Sequence, residues 1–272
     1  MAELVIESGR IERQYWRDLW RYRELFFFFT WRDLLVRYKQ TVVGVSWSLI
    51  RPLLTMLVLT IVFGKLGKMP AGKVPYPLLV FCGMLPWQFF AAAISECGSS
   101  LVTNSNMISK VYFPRLVITV SSVMTTLVDF LISAVFLIAL MIYFHYPPHS
   151  TVLVLPFYIL LMVAISFGVG LWIAALMVQY RDFRFIVPFV VQFGLYISPV
   201  GFQTSVIPER YRLLYSLNPM VGIIDGFRWC ILGPETIVYW PGLAIAIAEV
   251  VVFVASGIWY FRRTERVFAD VI

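Results

Sequence analysis

Along this chain the apolar positions gather into long runs broken by short polar clusters, a pattern that suits hydrocarbon better than water. Six runs, at residues 47–64, 78–94, 116–144, 152–178, 185–200 and 242–261, approach or exceed the roughly 20 apolar residues that a helix needs to cross a bilayer. A helix satisfies its own backbone hydrogen bonds where no water is present. The runs therefore predict an all-α integral membrane protein with six transmembrane helices, organised as one domain over residues 1–272.

Two stretches depart from this pattern. Over residues 11–40, Tyr15, Leu19, Tyr22 and Phe26 recur at helical spacing, while Arg13, Arg17, Asp18, Arg21 and Glu24 fall elsewhere on the wheel. This predicts an amphipathic interface helix, lying on the membrane, packed on the protein, or both. The apolar stretch from Leu25 to Trp31, with Phe26 to Phe29 consecutive and Arg32 and Asp33 closing it, is too short to span. Residues 202–240 form an outer or re-entrant region: Pro208, Asn218, Pro219, Gly222, Gly226, Gly233 and Pro234 punctuate it, just after Ser198, Pro199 and Gly201. Short helices entering and leaving on one side fit better than a loop resting on the surface. Their irregular backbone must then be buried in protein or line a wet cavity.

Charge adds orientation. Of the 22 Lys and Arg residues, sixteen fall in the N-terminal region through Arg51, in the loops holding Lys110 with Arg115 and Arg181 with Arg184, or after the last span. Six, counting Arg228 among them, fall on the other face, so both termini are expected in the cytoplasm. The net charge of +7 is scattered rather than gathered on one face, which argues against nucleic acid as a partner. Cys82, Cys97 and Cys230 lack metal-ligand spacing and read as unpaired packing residues. Residues 1–24 carry no apolar signal core, so insertion is expected through the spans themselves.

Candidate chemistry is sparse. Residues 67–74 come within one residue of a phosphate-binding loop, but Val74 stands where Ser or Thr must reach magnesium, and Pro75 and Pro77 follow. His145 and His149 have a metal-binding spacing only on a helix, and Pro147 and Pro148 between them predict a solvated turn. No catalytic residue and no metal site emerges. Glu96, Asp129 and Glu249 lie in or beside apolar runs, where a carboxylate is costly and marks a pore, a partner or a basic residue. A proton relay through Asp129 and Glu249 and a structural pairing both stay open, because no basic residue lies mid-span.

Two stretches carry a family resemblance. Residues 37–52, R-Y-K-Q-T-V-V-G-V-S-W-S-L-I-R-P, and residues 180–202, Y-R-D-F-R-F-I-V-P-F-V-V-Q-F-G-L-Y-I-S-P-V-G-F, with Leu217, Asn218 and Pro219 following, resemble the membrane permeases of polysaccharide-exporting ABC transporters of the ABC-2 type. That family exports O-antigen, capsule or teichoic-acid polymers. The resemblance implies a homodimeric channel in the bacterial cytoplasmic membrane, moving a polyprenyl-diphosphate-linked polysaccharide. Two copies of a separate nucleotide-binding subunit would bind ATP and Mg, with no cofactor in this chain.

What the resemblance implies for residues follows from their placement. Residues 104–115 lie between the second and third runs: Asn104 is expected to cap a short helix and Pro114 to end it, with Met107, Ile108, Lys110, Tyr112, Phe113 and Arg115 offered to the ATPase subunit. Arg181 and Asp182 would make a second contact or an internal brace. Arg37, Lys39 and Arg51 are placed to seat a lipid diphosphate, and Trp47, Trp87, Phe193 and Tyr196 are candidates to stack on sugars in the channel. Arg51 stands where many relatives carry an uncharged polar residue. The chain stops soon after Arg266, which is expected to leave any sugar-binding or nucleotide-binding domain to the partner. A drug or small-lipid exporter, and a membrane-embedded enzyme acting on polyprenyl lipids, are the competing readings.

Overall fold

The computed structural model describes residues 12–39, 46–70, 72–111, 113–265 and 268, and among these residues it is helical with no strand. α1 (Glu12–Arg21) and α2 (Arg23–Lys39) replace the single helix expected over residues 11–40. The break falls at Tyr22, whose N–H still donates to the Asp18 carbonyl while Leu25 bonds back to Tyr22. The apolar spacing is kept across the break, for Tyr15, Leu19 and Phe26 all pack against one apolar cluster.

α3 (Ser46–Leu59) runs on as a π-helical segment, Thr60–Leu66, and α4 (Tyr76–Thr103) follows a turn. After α5 (Ser105–Ile108) come α6 (Leu116–Tyr143), α7 (Leu155–Gln179) with a 3-10 turn at Ser150–Val154 leading into it, and α8 (Phe183–Ile197). α9 (Glu209–Tyr215), α10 (Pro219–Leu232) and α11 (Trp240–Glu265) complete the chain. Four helical stretches are long and apolar enough to cross a membrane: Tyr76–Thr103, Leu116–Tyr143, Ser150–Gln179 and Trp240–Glu265. The other two expected spans fall on α3 with its π extension and on α8, an apolar helix of 15 residues.

α4 continues to Thr103 instead of ending near residue 94. Its last turns are polar by composition yet made of small residues, and Cys97, Gly98 and Ser100 are buried. A Cβ on Gly98 would lie 2.8 Å from Ile173, so only glycine lets α4 and α7 close here. α7 and α11 meet in the same way, backbone to backbone at Gly168 and Gly257.

α10 is buried among α4, α7 and α11, with every residue from Met220 to Arg228 inside. Local chemistry fixes its ends: Asn218 caps it by accepting the Met220 N–H at 3.1 Å, Pro219 fills the first position, and Gly233 stops it at φ 72°. His145 sits in an exposed turn at φ 53° and His149 caps the following 3-10 turn, so the two imidazoles share no helix face. The three cysteines are buried free thiols.

Two apolar clusters divide the bundle. The larger fills the middle between α4, α6, α7, α10 and α11. The smaller closes one end, where Phe29, Leu101, Phe113, Leu171 and Phe261 meet.

Candidate functional site

α2 lies along α6, and its last turn delivers Arg37 and Tyr38 to two carboxylates. Arg37 pairs with Asp129 of α6 and with Glu96 of α4, and the Tyr38 hydroxyl donates to the second oxygen of Asp129. Burial opposes the guanidinium charge, but Glu96 and Asp129 outweigh it and raise the Arg37 pKa above its ordinary value. The partner of Asp129 thus comes from a helix 92 residues upstream in sequence rather than from another span. A hydrogen bond to a charged group contributes about 1.5–3 kcal/mol, so this cluster is a substantial fastening of α2, α4 and α6. Arg37 is paired twice, whereas Lys39 and Arg51 are exposed and open to an anion. Glu249 is partly buried on α11, and its Oε2 has no hydrogen-bond partner.

At the end closed by the smaller cluster, Asn104 stands at the N-cap of α5, where its carbonyl accepts the Met107 and Ile108 N–H groups, but its side chain makes no capping bond there. Because α4 runs to Thr103, Asn104 is the C-cap of α4: its amide donates to the Ser100 carbonyl at 2.8 Å and its oxygen accepts from Arg32 at 2.8 Å. α5 stops at Ile108, well before Pro114, and Pro114 instead opens α6 by accepting the Val117 N–H at 3.0 Å. Ile108 and Phe113 are buried, the latter with its ring 5.7 Å from that of Phe29, and Met107 packs against the same cluster. Their apolar surface holds the loop to the bundle. Asn106, Ser109, Lys110 and Val111 face outward, and Tyr112 lies outside the described residues.

Arg115 is spoken for as well. Its N–H donates to Glu265 Oε1 at 3.0 Å, its guanidinium donates to the Glu265 carbonyl, and it lies over the Phe268 ring. Tyr15 donates to the same Glu265 oxygen at 3.4 Å, and burial, reinforced by that carboxylate, pushes the phenol pKa up. Glu265 therefore joins α1, the start of α6 and the end of α11, bringing both ends of the described chain to one end of the bundle. Arg181 and Asp182 are exposed in the turn between α7 and α8, and no side-chain bond braces them among the described residues.

At the opposite end of α8, the sequence reading counted Arg228 as an outer-loop charge, and the structure places it inside, 1% exposed. Arg228 donates to three backbone carbonyls, Leu79 at 3.1 Å, Val200 at 2.6 Å and Phe202 at 2.8 Å. Gly83 makes the room, since a Cβ there would lie 2.2 Å from the guanidinium. The signal for this residue was the pair Asp225 and Arg228, three apart in an otherwise apolar helix, where a charge must find partners in protein.

The candidate channel aromatics separate. Trp87 is buried with its ring seated on Gly194, whereas Phe193 and Tyr196 are exposed on α8, Phe193 stacked on Phe189 with centroids 5.9 Å apart. The Trp47 side chain lies outside the described residues.

The family described as ABC-2 type transporter matches residues 24–232, from the start of α2 to the end of α10. The chain belongs to the ABC-2 type transporter family. It is similar to an O-antigen export system permease protein RfbA of Myxococcus xanthus, 29% identical with 92% of this chain and 96% of the relative covered. Two permease proteins of the same description from Klebsiella pneumoniae are each 27% identical, covering 89% of this chain and 92% of the relatives. The matched region of this ABC-2 permease contains the ionic cluster, the α5 loop and Arg228, while Glu265 falls beyond it.

Proposed function

We propose that this ABC-2 permease is the channel-forming subunit of an O-antigen-type exporter, moving a polyprenyl-diphosphate-linked polysaccharide across the bacterial cytoplasmic membrane. The carrying observation is its similarity, over about nine-tenths of its length, to permeases named for O-antigen export. Membership of an ABC family supports a separate ATPase partner that binds ATP and Mg.

The geometry supports a homodimer. α3 and α8 both flank α4, and both keep apolar faces uncovered: Leu54, Leu57, Val58 and Ile61 on one, Phe185, Phe189, Val190 and Phe193 on the other. A second copy related by a two-fold axis would cover them and enclose a path that one copy cannot. Six spans, with α3 and α8 counted, put both termini in the cytoplasm, and α9 and α10 enter and leave from the outer side. Tyr196 offers a ring face to sugars. The lipid diphosphate is seated by Lys39 and Arg51, with Arg37 holding α2 in place beside them. Asn106, Ser109, Lys110 and Val111, together with Arg181 and Asp182, form the surface that meets the ATPase subunit, and the buried Ile108 and Phe113 pass its motion inward.

Co-purification with a candidate ATP-binding subunit, followed by ATPase assays with lipid-linked glycans, tests this reading. The expected result is a stable complex whose hydrolysis rises with lipid-linked O-antigen and not with a small amphipathic drug. Stimulation by the drug alone would favour the small-molecule exporter.

A further inference from the structure

We propose that Arg32 is a positioning residue that joins the ATPase-facing loop at residues 104–115 to the lipid-diphosphate seat, so that engagement of the ATPase subunit and binding of the lipid strengthen each other through α2. This deepens the exporter reading and rests on it.

α2 holds that loop near its start and near its end. At the start, the Arg32 guanidinium donates to Asn104 Oδ1 at 2.8 Å. Asn104 is the point where α2, α4 and α5 meet: its amide ties back to Ser100 of α4, and its backbone carbonyl accepts the Met107 and Ile108 N–H groups. Towards the end of the loop, the Phe113 ring lies 5.7 Å from that of Phe29. Phe29 stands one turn before Arg32 and carries the guanidinium 5.0 Å from its ring centre, so both grips belong to one face of α2. Asp33 accepts from Arg32 Nε at 2.9 Å and from Nη2 at 2.7 Å. The same Nη2 thus serves its own helix and the loop at once, which suits a planar fork of N–H groups and not the single ammonium of a lysine.

Further along the same helix, about 10 Å from Arg32 by helical rise, stands Lys39 of the proposed seat. Between them Arg37 fastens α2 to Glu96 of α4 and Asp129 of α6. A diphosphate is held best by cations that converge on it, and Lys39 lies on α2 whereas Arg51 lies on α3. The setting of α2 therefore decides whether both cations reach one lipid. A loop position that keeps Arg32 bonded and a lipid that draws Lys39 towards Arg51 select one setting of α2. Such coupling is reciprocal: the factor by which the ATPase subunit raises lipid affinity is the factor by which the lipid raises affinity for the ATPase subunit.

The test uses the full-length permease in nanodiscs, with and without its ATPase subunit held in the ATP-bound state. The probe is a polyprenyl diphosphate bearing a fluorescent sugar. The ATPase subunit is expected to tighten probe binding by about fivefold or more, and the probe to tighten binding of the subunit by the same factor. In Arg32→Ala and in Asn104→Leu both factors are expected to fall below about twofold, while Asn104→Asp, which keeps an acceptor for the guanidinium, retains them. Should Arg32→Ala fail to fold, the two Asn104 variants decide. A purely structural brace would lower the unfolding midpoint in Asn104→Leu and leave both factors unchanged, and that result would overturn the link. Equal losses in Asn104→Leu and Asn104→Asp would overturn it too. If the unmutated chain binds probe and ATPase subunit without mutual effect, the link falls and the exporter reading stands. If neither the probe nor an ATP-binding subunit binds, the exporter reading falls and the link with it.

Discussion

α4 and α8 are both apolar helices interrupted by proline, yet the protein uses them in opposite ways. α4 is buried from Leu78 through most of its length, with Gly83, Gly98 and Cys97 letting Arg228 and α7 close on it. α8 buries Val187 alone among its described residues and leaves a row of aromatic rings uncovered. Apolar composition therefore marks both helices as belonging in hydrocarbon but does not say which is already packed. Small residues do: α4 offers glycine and cysteine where neighbours close in, and α8 offers large rings that stack on one another and stay exposed.

The contrast is best broken in the core. A Cβ on Gly226 of α10 would meet the Tyr158 ring at 1.8 Å, so Gly226→Ala is expected to cost about 3 kcal/mol through overpacking and to lower the yield of folded protein in detergent. Next comes the ionic cluster: Arg37→Gln leaves Glu96 and Asp129 facing each other without their cation and is expected to cost about 2 kcal/mol, read as a lower unfolding midpoint. Replacing Asp129 by Asn in the same chain should recover part of that loss. If the double variant unfolds earlier than the single one, the cluster is not the fastening described.

Glu265→Gln is smaller, about 1 kcal/mol, because the amide still accepts from Arg115 and Tyr15. Its sharper readout is proteolysis, which should reach the chain ends sooner. The smallest stability effect belongs to α8: Phe189→Ala is expected to change folding by less than about 0.5 kcal/mol while reducing export severalfold. A large loss of stability from Phe189→Ala in the isolated chain would mean that its ring is covered within one copy.

Much of the architecture could be read from the runs of apolar residues, since each helix long enough to span overlaps one of the expected windows almost end to end or encloses it. What stayed hidden depends on contacts between distant positions. The end of α4 was cut short because Ser, Glu and Gly lower hydropathy there, although Gly98 and Ser100 pack well. The pairing of Asp129 with Arg37 was invisible because the two are far apart in sequence and Arg37 belongs to a helix that is not itself a span. Asn104 and Pro114 carried capping chemistry that suited α5, but the neighbouring helices claimed it. Ile108 and Phe113 were legible as apolar loop residues, and only the fold distinguishes a plug for a partner from an anchor in the chain's own core.

The central claim is that another subunit's ATP hydrolysis drives a lipid-linked glycan through a path built from these uncovered faces. Purified permease and ATPase subunit, reconstituted together in vesicles with fluorescent lipid-linked O-antigen, test it by the appearance of glycan on the opposite leaflet. The account predicts transport that requires ATP and both proteins and continues when the proton gradient is collapsed. Transport by the permease alone, or transport that follows the proton gradient without ATP, would contradict it.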